Sequence, residues 1–250
     1  MGEMQFFREL PHNISSVSGE SMPRWIRCVD ALFLILITVA GLIGNSMVCI
    51  AFFLSHKLRT KTNIFVVNLS LADFFTCTTL PIVAWSLLVE TEYGASKVNT
   101  PCAIALVMTQ CFIGCSVLSL TMIALNRWML IARRRELYDR IYRYRVIFSA
   151  QVTSWVFPLL VTLAPLLLGI GSIGYDPRSR NCSLMPDHPY SFTYKVVLLT
   201  CLMPGPMSVI LYCYWSVFNY VKSHNMKIQQ AQSEASRTIT ETIGSSRNPS

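Results

Sequence analysis

Two ionisable side chains stand inside stretches of sequence that are otherwise almost free of charge. Asp73 lies near the middle of one apolar stretch, and Arg127 lies at the end of another. A carboxylate in hydrocarbon must be hydrated, paired with a cation or bound to an ion. Asn45 and Ser116 occupy neighbouring apolar stretches and can share an interior with Asp73. These three residues predict a site for water or a sodium ion.

Arg127 has two interpretations. A long basic side chain at the end of an apolar stretch can extend into water, so Arg127 is either a functional group or simply a charge at a helix end. Its neighbour Asn126 can form hydrogen bonds but supplies no charge.

The cysteines and histidines argue against a metal site or an enzyme. The nine cysteines include no Cys-x-x-Cys pair and no Cys/His cluster, and the four histidines lie outside the apolar stretches. No Ser/His/Asp group or carboxylate pair shares a face. Cys102 and Cys182 fall in loops or at a helix end on the predicted outer side, where a disulfide is chemically reasonable. Spacing alone leaves their paired and unpaired forms equally open.

The elements that position these residues follow from composition. The chain of 250 residues is 52% hydrophobic but only 14% charged, against about a quarter charged in a soluble protein. Five stretches exceed the ~20 residues that cross a bilayer, and only a helix satisfies its own backbone there. The sequence predicts an all-α membrane protein with transmembrane helices at about 29–55, 63–89, 100–132, 146–170 and 194–221.

Basic residues predict the orientation of these helices. With the N-terminus outside and the C-terminus cytoplasmic, 14 of the 21 Lys and Arg lie on the cytoplasmic side, where such residues are retained. The positive charge therefore reflects topology, not nucleic-acid binding, and the basic blocks face either anionic lipid or a cytosolic partner. Asn13 and Asn181 match the N-glycosylation pattern and fall on the outer side.

The chain divides into an extracellular tail (1–25), a helical body (26–221) and a cytoplasmic tail (222–250). Residues 222–234 can extend the fifth helix, and residues 244–250 have a composition typical of disorder. In the inner loop 132–145, Leu137 and Ile141 have the spacing of one helix face. That loop is either a short amphipathic helix on the membrane surface or a solvated basic loop.

Short motifs in the helical body resemble the rhodopsin-like class A of G-protein-coupled receptors. They are residues 44–45, residues 68–73, Cys102 placed twenty-five residues before Arg127, Trp155 followed by Pro165, Cys182, and Pro206 followed by Tyr214. Residues 126–128, 131–132, 137–142, 165–169 and 182–183 further resemble the moody and trapped-in-endoderm subgroup. Melatonin receptors and the medium-chain fatty-acid receptor are more distant relatives in this comparison.

The resemblance implies a multi-pass plasma-membrane receptor that passes an extracellular signal to a heterotrimeric G protein. It also implies a disulfide between Cys102 and Cys182. In the family, ligand binding shifts a two-state equilibrium and opens a cytoplasmic groove around the residue equivalent to Arg127. The residues implied in coupling and activation are Asn126, Arg127, Trp128, Tyr214 and Leu137.

Three departures from the family pattern modify these expectations. Asn126 replaces the acid that pairs with the arginine, and Trp128 replaces a tyrosine, so the restraint on Arg127 should be weaker than an ion pair. Thr109 stands where amine receptors carry an aspartate, which disfavours an amine ligand. Five spans are two fewer than the family has. We therefore expect a fragment or truncated isoform, ending in the third intracellular loop, that does not signal alone.

The resemblance places a ligand pocket near the outer ends of the helices. An apolar pocket with basic groups at its mouth suits a lipid or an acidic amphiphile, although ordinary helix packing also explains each of these residues. The candidates are Thr109, Gln110, Ile113, Trp85, Leu198, Leu202, Arg178 and Arg180.

The main alternative is a transporter or channel subunit that uses Asp73 as its ion site. The five spans show no inverted repeat, and Asp73 is the only charge deep in the membrane. Both features favour the receptor.

Overall fold

Five membrane-length helices form the body of the protein. The computed structural model describes residues 23–133, 135–177, 179–185 and 189–246. Within these residues, five helical segments are long and apolar enough to cross a membrane, the fifth of them from Ser191 to Glu234, which confirms the predicted fold class. The elements are α1 (Arg24–Leu54), α2 (Lys61–Leu88), α3 (Glu92–Ala132), α4 (Arg135–Ile141), α5 (Tyr144–Leu167), β1 (Ile173–Asp176), β2 (Asn181–Leu184), α6 (Ser191–Leu202) and α7 (Pro204–Ser246).

Threonine caps define where two of the long helices begin. The Thr60 side chain accepts a hydrogen bond from the Asn63 backbone N–H at the start of α2, at 3.3 Å. Thr91 does the same for Gly94 at the start of α3, at 3.1 Å. Such caps satisfy backbone N–H groups that lack a partner in the first turn. As a result, α3 begins at Glu92 rather than near residue 100, because polar residues before the apolar stretch continue the helix.

The predicted fifth span is two helices, α6 and α7. The division falls at Met203, which is followed by Pro204 and, after Gly205, by Pro206. Proline lacks a backbone N–H and disfavours helical geometry in the residue before it, but it is well suited to the first position of a new helix. Beyond the membrane, α7 continues to Ser246, through residues 222–234 and past residue 244.

The third helix, α3, lies at the centre of the fold. It contacts α2, α5, α7 and both strands. Gly114 permits its close approach to α5, since a Cβ atom there would lie 2.6 Å from the Pro158 Cβ. This contact fixes the distance between the two helices over the middle of the membrane-spanning region.

The two strands form an antiparallel hairpin at one end of the bundle. Tyr175 pairs with Cys182 in its register, and a disulfide joins Cys182 to Cys102 of α3, with a Cα–Cα distance of 5.1 Å. We call this the disulfide end. The opposite end of α3 carries Arg127 and is called the arginine end. Twenty-five residues separate Cys102 from Arg127, which is about 37 Å along a helix.

The loop 132–145 contains the short helix α4 at the arginine end. Its buried residue is Tyr138, which is 7% exposed, whereas Leu137 and Ile141 are about 40% exposed. The spacing of Leu137 and Ile141 indicates a helix, but α4 packs against the bundle through a different face. The reason is the Tyr138 hydroxyl group, which reaches a buried polar partner on α3.

Candidate functional site

The hairpin at the disulfide end is fixed by covalent and polar contacts. Cys102, Cys182 and Tyr175 are buried together with Val89 and Val98. The Tyr175 backbone N–H donates to the Asn99 Oδ1 atom at 2.9 Å. The predicted disulfide is therefore present, and it holds the hairpin over the end of α3. Sequence reasoning did not identify Asn99, because a single polar residue near a helix start carries no distinctive pattern.

A cleft of about 330 Å³ lies between α3, α6 and the hairpin. It brings together four of the predicted pocket residues, Gln110, Ile113, Leu198 and Leu202. The remaining lining residues are Leu184, Lys195, Leu199 and Met203. Lys195 supplies the charge in this lining. It was not predicted as a pocket residue, although its position three residues before Leu198 places both on one helix face.

Other predicted pocket residues lie elsewhere. The Thr109 hydroxyl group shares a hydrogen bond with the Thr79 hydroxyl group at 2.6 Å, so it faces α2. One residue along a helix is a rotation of about 100°, which is why Thr109 and Gln110 face different neighbours. Trp85 is 46% exposed and does not line the cleft. Arg180 lines a separate cleft beside Glu90.

Three further residues were predicted to lie on the outer side of the membrane, one in the pocket and two as glycosylation sites. Arg178 and Asn13 lie outside the described residues. Asn181 stands at the start of β2 and is partly buried, with an Oδ1 atom that has no hydrogen-bond partner among the described residues. Glycosylation at either asparagine stays a prediction.

The predicted ion site comes together only in part. The Ser116 hydroxyl group donates to the Asp73 Oδ1 atom at 2.5 Å, between α3 and α2. Asn45 instead donates to the Gly41 carbonyl oxygen of its own helix at 2.9 Å. The structure thus places a carboxylate and a hydroxyl side by side, while the third predicted member is bonded to its own backbone.

A polar network around Asn68 joins three helices near the middle of the bundle. The Trp155 indole N–H donates to the Asn68 Oδ1 atom at 2.9 Å. The Asn68 amide group donates to the Ser119 and Ser154 hydroxyl oxygens at 2.7 and 3.2 Å. Each of these groups would cost free energy if it were buried alone, so the network fixes how α2, α3 and α5 pack.

A second buried polar cluster lies at the arginine end, and we call it the Asn126 cluster (Asn126, Thr62 and Tyr138). The Asn126 side chain is fully buried. Its amide group donates to the Thr62 Oγ1 atom at 2.7 Å, and its carbonyl oxygen accepts from the Tyr138 hydroxyl group at 3.1 Å. The cluster ties α2, α3 and α4 together without a charge.

Burial keeps the tyrosines of this region neutral. It raises the pKa of Tyr138 above its ordinary value, although the Thr62 hydrogen bond opposes the shift. Burial also raises the pKa of Tyr142 to about 12. The two rings stack with their centroids 4.8 Å apart. The Tyr138 hydroxyl group therefore keeps its proton and donates a hydrogen bond to Asn126 across the physiological pH range.

Arg127 is exposed, and no hydrogen bond or ion pair to it occurs among the residues that the structure describes. Its neighbour Trp128 is held firmly. The indole N–H donates to the Ser216 Oγ atom of α7 at 2.9 Å, the Tyr212 ring meets it edge-on, and the Arg133 guanidinium lies 4.8 Å from its centroid. We call these four residues the Trp128 cluster. Ser216 was not predicted.

The other two predicted coupling residues lie on the surface. Tyr214 is 48% exposed and Leu137 is 41% exposed. Together with Arg127, they leave one cation, one phenol and one aliphatic side chain accessible at or near the arginine end.

Comparison with known proteins identifies the family. The model of the family described as 7 transmembrane receptor (rhodopsin family) matches residues 44–245. Melatonin receptor type 1B-B of Danio rerio is 30% identical over 226 residues, covering 90% of this chain and 62% of that receptor. The G-protein coupled receptor moody of Drosophila pseudoobscura pseudoobscura is 28% identical over 200 residues, covering 80% of this chain and 29% of that receptor. Squid rhodopsin has the same fold, with a TM-score of 0.69, 19% identity, and coverage of 86% of this chain and 58% of that one.

This chain belongs to the rhodopsin family of seven-transmembrane receptors, as its motifs predicted. It is therefore a multi-pass plasma-membrane protein and not an enzyme. It spans about three-fifths of the melatonin receptor that it matches. Membership of this family also favours the receptor over the transporter or channel subunit.

Proposed function

We propose that this chain forms the part of a receptor that passes the binding of an extracellular ligand to a heterotrimeric G protein. The observation that carries the proposal is the course of α3. This one helix lines the cleft through Gln110 and Ile113 and presents Arg127, exposed and without a described partner, at the other end. Ile113 and Arg127 are fourteen residues apart, which is about 21 Å along a helix.

The proposed topology puts the disulfide end outside the cell and the arginine end in the cytoplasm. The excess of Lys and Arg around α4 and along α7 supports it. A disulfide in an extracellular loop agrees with the oxidising conditions there. Arg127 then faces the compartment that contains the G protein.

The neutral Asn126 cluster supports an easily activated switch. In the family pattern an acid holds the arginine, but here both polar ends of the Asn126 side chain are bonded to Thr62 and Tyr138. Among the residues that the structure describes, no ion pair restrains Arg127. The proposed resting state is therefore held by neutral hydrogen bonds of α2 and α4, each contributing about 1 kcal/mol.

We propose an acidic amphiphile as the ligand. The cleft is lined mainly by leucines, with Ile113 and Met203, and its polar groups are the Lys195 ammonium and the Gln110 amide. This pattern fits an apolar chain that ends in a carboxylate, since a charge-assisted hydrogen bond to lysine fixes one end. Melatonin, named in the relatives, is the second candidate.

Stabilisation of the chain by ligands tests this assignment. Decanoate should raise the thermal unfolding midpoint of the chain in detergent, whereas decanol, which lacks the charge, and melatonin should have less effect. Lys195→Gln should raise the decanoate concentration that is needed for the same shift of the unfolding midpoint at least tenfold, since it removes the charge partner. Lys97→Gln, a lysine outside the cleft lining, is the matched control. A response to melatonin alone would contradict the proposed ligand class.

A sodium ion at Asp73 remains part of the proposal. The Asp73 carboxylate and Ser116 hydroxyl oxygens are hard ligands of the type that such an ion prefers. A close relation to the moody and trapped-in-endoderm subgroup is also proposed, on the motifs at residues 126–128 and 137–142.

A direct test separates the receptor from the transporter. In the chain completed with a sixth and a seventh helix, nucleotide exchange on a G protein should depend on Arg127, whereas ion flux across sealed vesicles should depend on Asp73. Flux that disappears in Asp73→Asn, without any nucleotide exchange, would overturn the proposed function.

A further inference from the structure

An apolar cavity of about 260 Å³ lies near the arginine end, between α2, α3, α4 and α5. Its lining includes Phe65, Met122, Ile141, Tyr142 and Ile147. It is separate from the cleft at the disulfide end. An engineered apolar cavity of about 150 Å³ in another protein takes up benzene, so this space can hold a longer piece of hydrocarbon.

Three arginines are next in the sequence to residues that line this cavity. Arg140 directly precedes Ile141, Arg143 directly follows Tyr142, and Arg145 directly precedes Val146, and each of those neighbours lines the cavity. All three arginines are exposed. Among the described residues none of them forms an ion pair.

Asp139, the acid that directly precedes Arg140 in the sequence, already has two basic partners. Asp139 lies 3.9 Å from both the Lys61 Nζ atom and the Arg135 Nε atom. It therefore does not neutralise the three arginines. A long arginine side chain reaches the lipid headgroup level when its backbone lies at a helix end. The cavity thus has an apolar lining, and three exposed arginines stand next to its lining residues in the sequence. We call Arg140, Arg143 and Arg145 the charged rim.

We infer that this cavity binds an anionic phospholipid of the cytoplasmic leaflet. One acyl chain occupies the cavity, and the headgroup phosphate lies among Arg140, Arg143 and Arg145. Charge selects the occupant: the cytoplasmic leaflet is rich in anionic lipid, and basic pockets between membrane helices hold such headgroups. The inference takes from the proposed function only the cytoplasmic location of the arginine end.

The bound lipid acts on the switch through aromatic contacts. The Tyr142 ring lines the cavity, meets the Phe65 ring edge-on and stacks on the Tyr138 ring. The Tyr138 hydroxyl group in turn bonds to Asn126. An acyl chain beside Tyr142 therefore holds α4 against the bundle and stabilises the Asn126 cluster.

Native mass spectrometry of the whole chain in detergent tests the charged rim. Phosphatidylserine should bind more tightly than phosphatidylcholine with the same acyl chains. The double variant Arg143→Gln/Arg145→Gln should weaken phosphatidylserine binding roughly thirtyfold, from about fivefold per basic residue near an anionic headgroup. Lys222→Gln/Lys227→Gln removes the same charge from exposed positions of α7 and should change it less than twofold.

Filling the cavity tests the acyl chain. Ala150→Phe places a ring among the lining residues and should weaken the binding of phosphatidylserine roughly tenfold, by excluding several methylene groups. Met122→Phe is a second filling variant, in case the first does not fold. Glycerophosphoserine, the headgroup without acyl chains, should bind at least a hundredfold more weakly.

Two results would overturn the inference: equal losses in the two charge variants, or lipid binding that both filling variants leave unchanged. Lipid binding is measured without a G protein or a cleft ligand. If the chain binds the lipid but fails in nucleotide exchange when it is completed with a sixth and a seventh helix, the proposed function alone is contradicted. The opposite result would contradict the lipid site alone.

Discussion

The two ends of the bundle are built on different physical principles. At the disulfide end, a covalent bond fixes the hairpin to α3, and the buried cluster around Cys102 is mostly apolar. At the arginine end, hydrogen bonds between neutral groups and one ion pair between exposed or half-exposed side chains, Lys61 and Asp139, join α2, α3, α4 and α7, and Arg127 is exposed. One end is therefore suited to holding a fixed shape and the other to changing its contacts.

The difference bears directly on signalling. A disulfide that closes a long loop restricts the unfolded chain strongly, whereas a neutral hydrogen bond contributes about 1 kcal/mol. A ligand with a few kcal/mol of differential affinity can shift contacts of the second kind but not the first. Variants at the two ends of the bundle test this difference.

The largest effect should follow loss of the disulfide. Cys102→Ser opens a link between residues 80 apart, which stabilises by up to about 4.5 kcal/mol in the chain-entropy account. We expect a large fall in the free energy of unfolding, measured in denaturant, and loss of the decanoate effect, because Leu184 of the cleft lies two residues after Cys182. Cys201→Ser, at an exposed free cysteine, should change little. Equal effects of the two variants would contradict the contrast.

The second effect concerns the Asn126 cluster. Asn126→Leu removes both hydrogen bonds and leaves the Tyr138 hydroxyl group buried without its acceptor, which should cost about 2–4 kcal/mol. Thermal unfolding of the chain in detergent measures it. Asn126→Leu should also expose α4 to protease, because the hydrogen bond that holds Tyr138 is lost. Leu125→Ala, at the preceding, partly buried position, controls for general damage to α3 and should not expose α4. Unchanged protection of α4 in Asn126→Leu would argue against the cluster.

A smaller effect is expected when a charge is restored at this position. In Asn126→Asp, the Thr62 and Tyr138 hydroxyl groups can both donate to the new carboxylate, and the carboxylate also attracts Arg127. Because Arg127 is exposed, the attraction should be modest, about 0.5–1 kcal/mol. Basal nucleotide exchange should therefore fall two- to fivefold. Unchanged or increased basal exchange would show that the neutral cluster does not set the resting state.

An effect of about the same size should come from the Trp128 cluster. Trp128→Phe keeps an aromatic ring beside Tyr212 but loses the indole N–H, and Ser216→Ala removes its acceptor. Each should cost about 1 kcal/mol in thermal unfolding, and the double variant little more than either alone. Strictly additive costs would mean that the hydrogen bond contributes nothing to the contact between α3 and α7.

Much of the fold follows from the sequence, because hydrocarbon allows few solutions. Charge-free stretches longer than a bilayer must be helices, and this predicts the five spans well. The boundaries depend on local chemistry instead. Thr91 starts α3 earlier than hydropathy indicates, and Pro204 divides the last span.

The candidate site was harder to predict, because side-chain direction decides it. Asp73 and Ser116 meet as expected, but Asn45 bonds within its own helix. The roles of Lys195 in the cleft and of Thr62 in the Asn126 cluster could be identified only from the packing of neighbouring helices. Their side chains belong to residue types that are ordinary at helix ends, so no motif distinguishes them.

The most direct test of the whole account is nucleotide exchange on a heterotrimeric G protein. The chain is reconstituted as a fusion with the sixth and seventh helices of the Danio rerio melatonin receptor, and the unfused chain is measured beside it. The variants below are compared in the fusion. Arg127→Ala is compared with Arg135→Ala, which removes an exposed arginine from the same end. We predict at least a tenfold loss of exchange in Arg127→Ala and little change in Arg135→Ala. Equal exchange in the two variants would contradict the account.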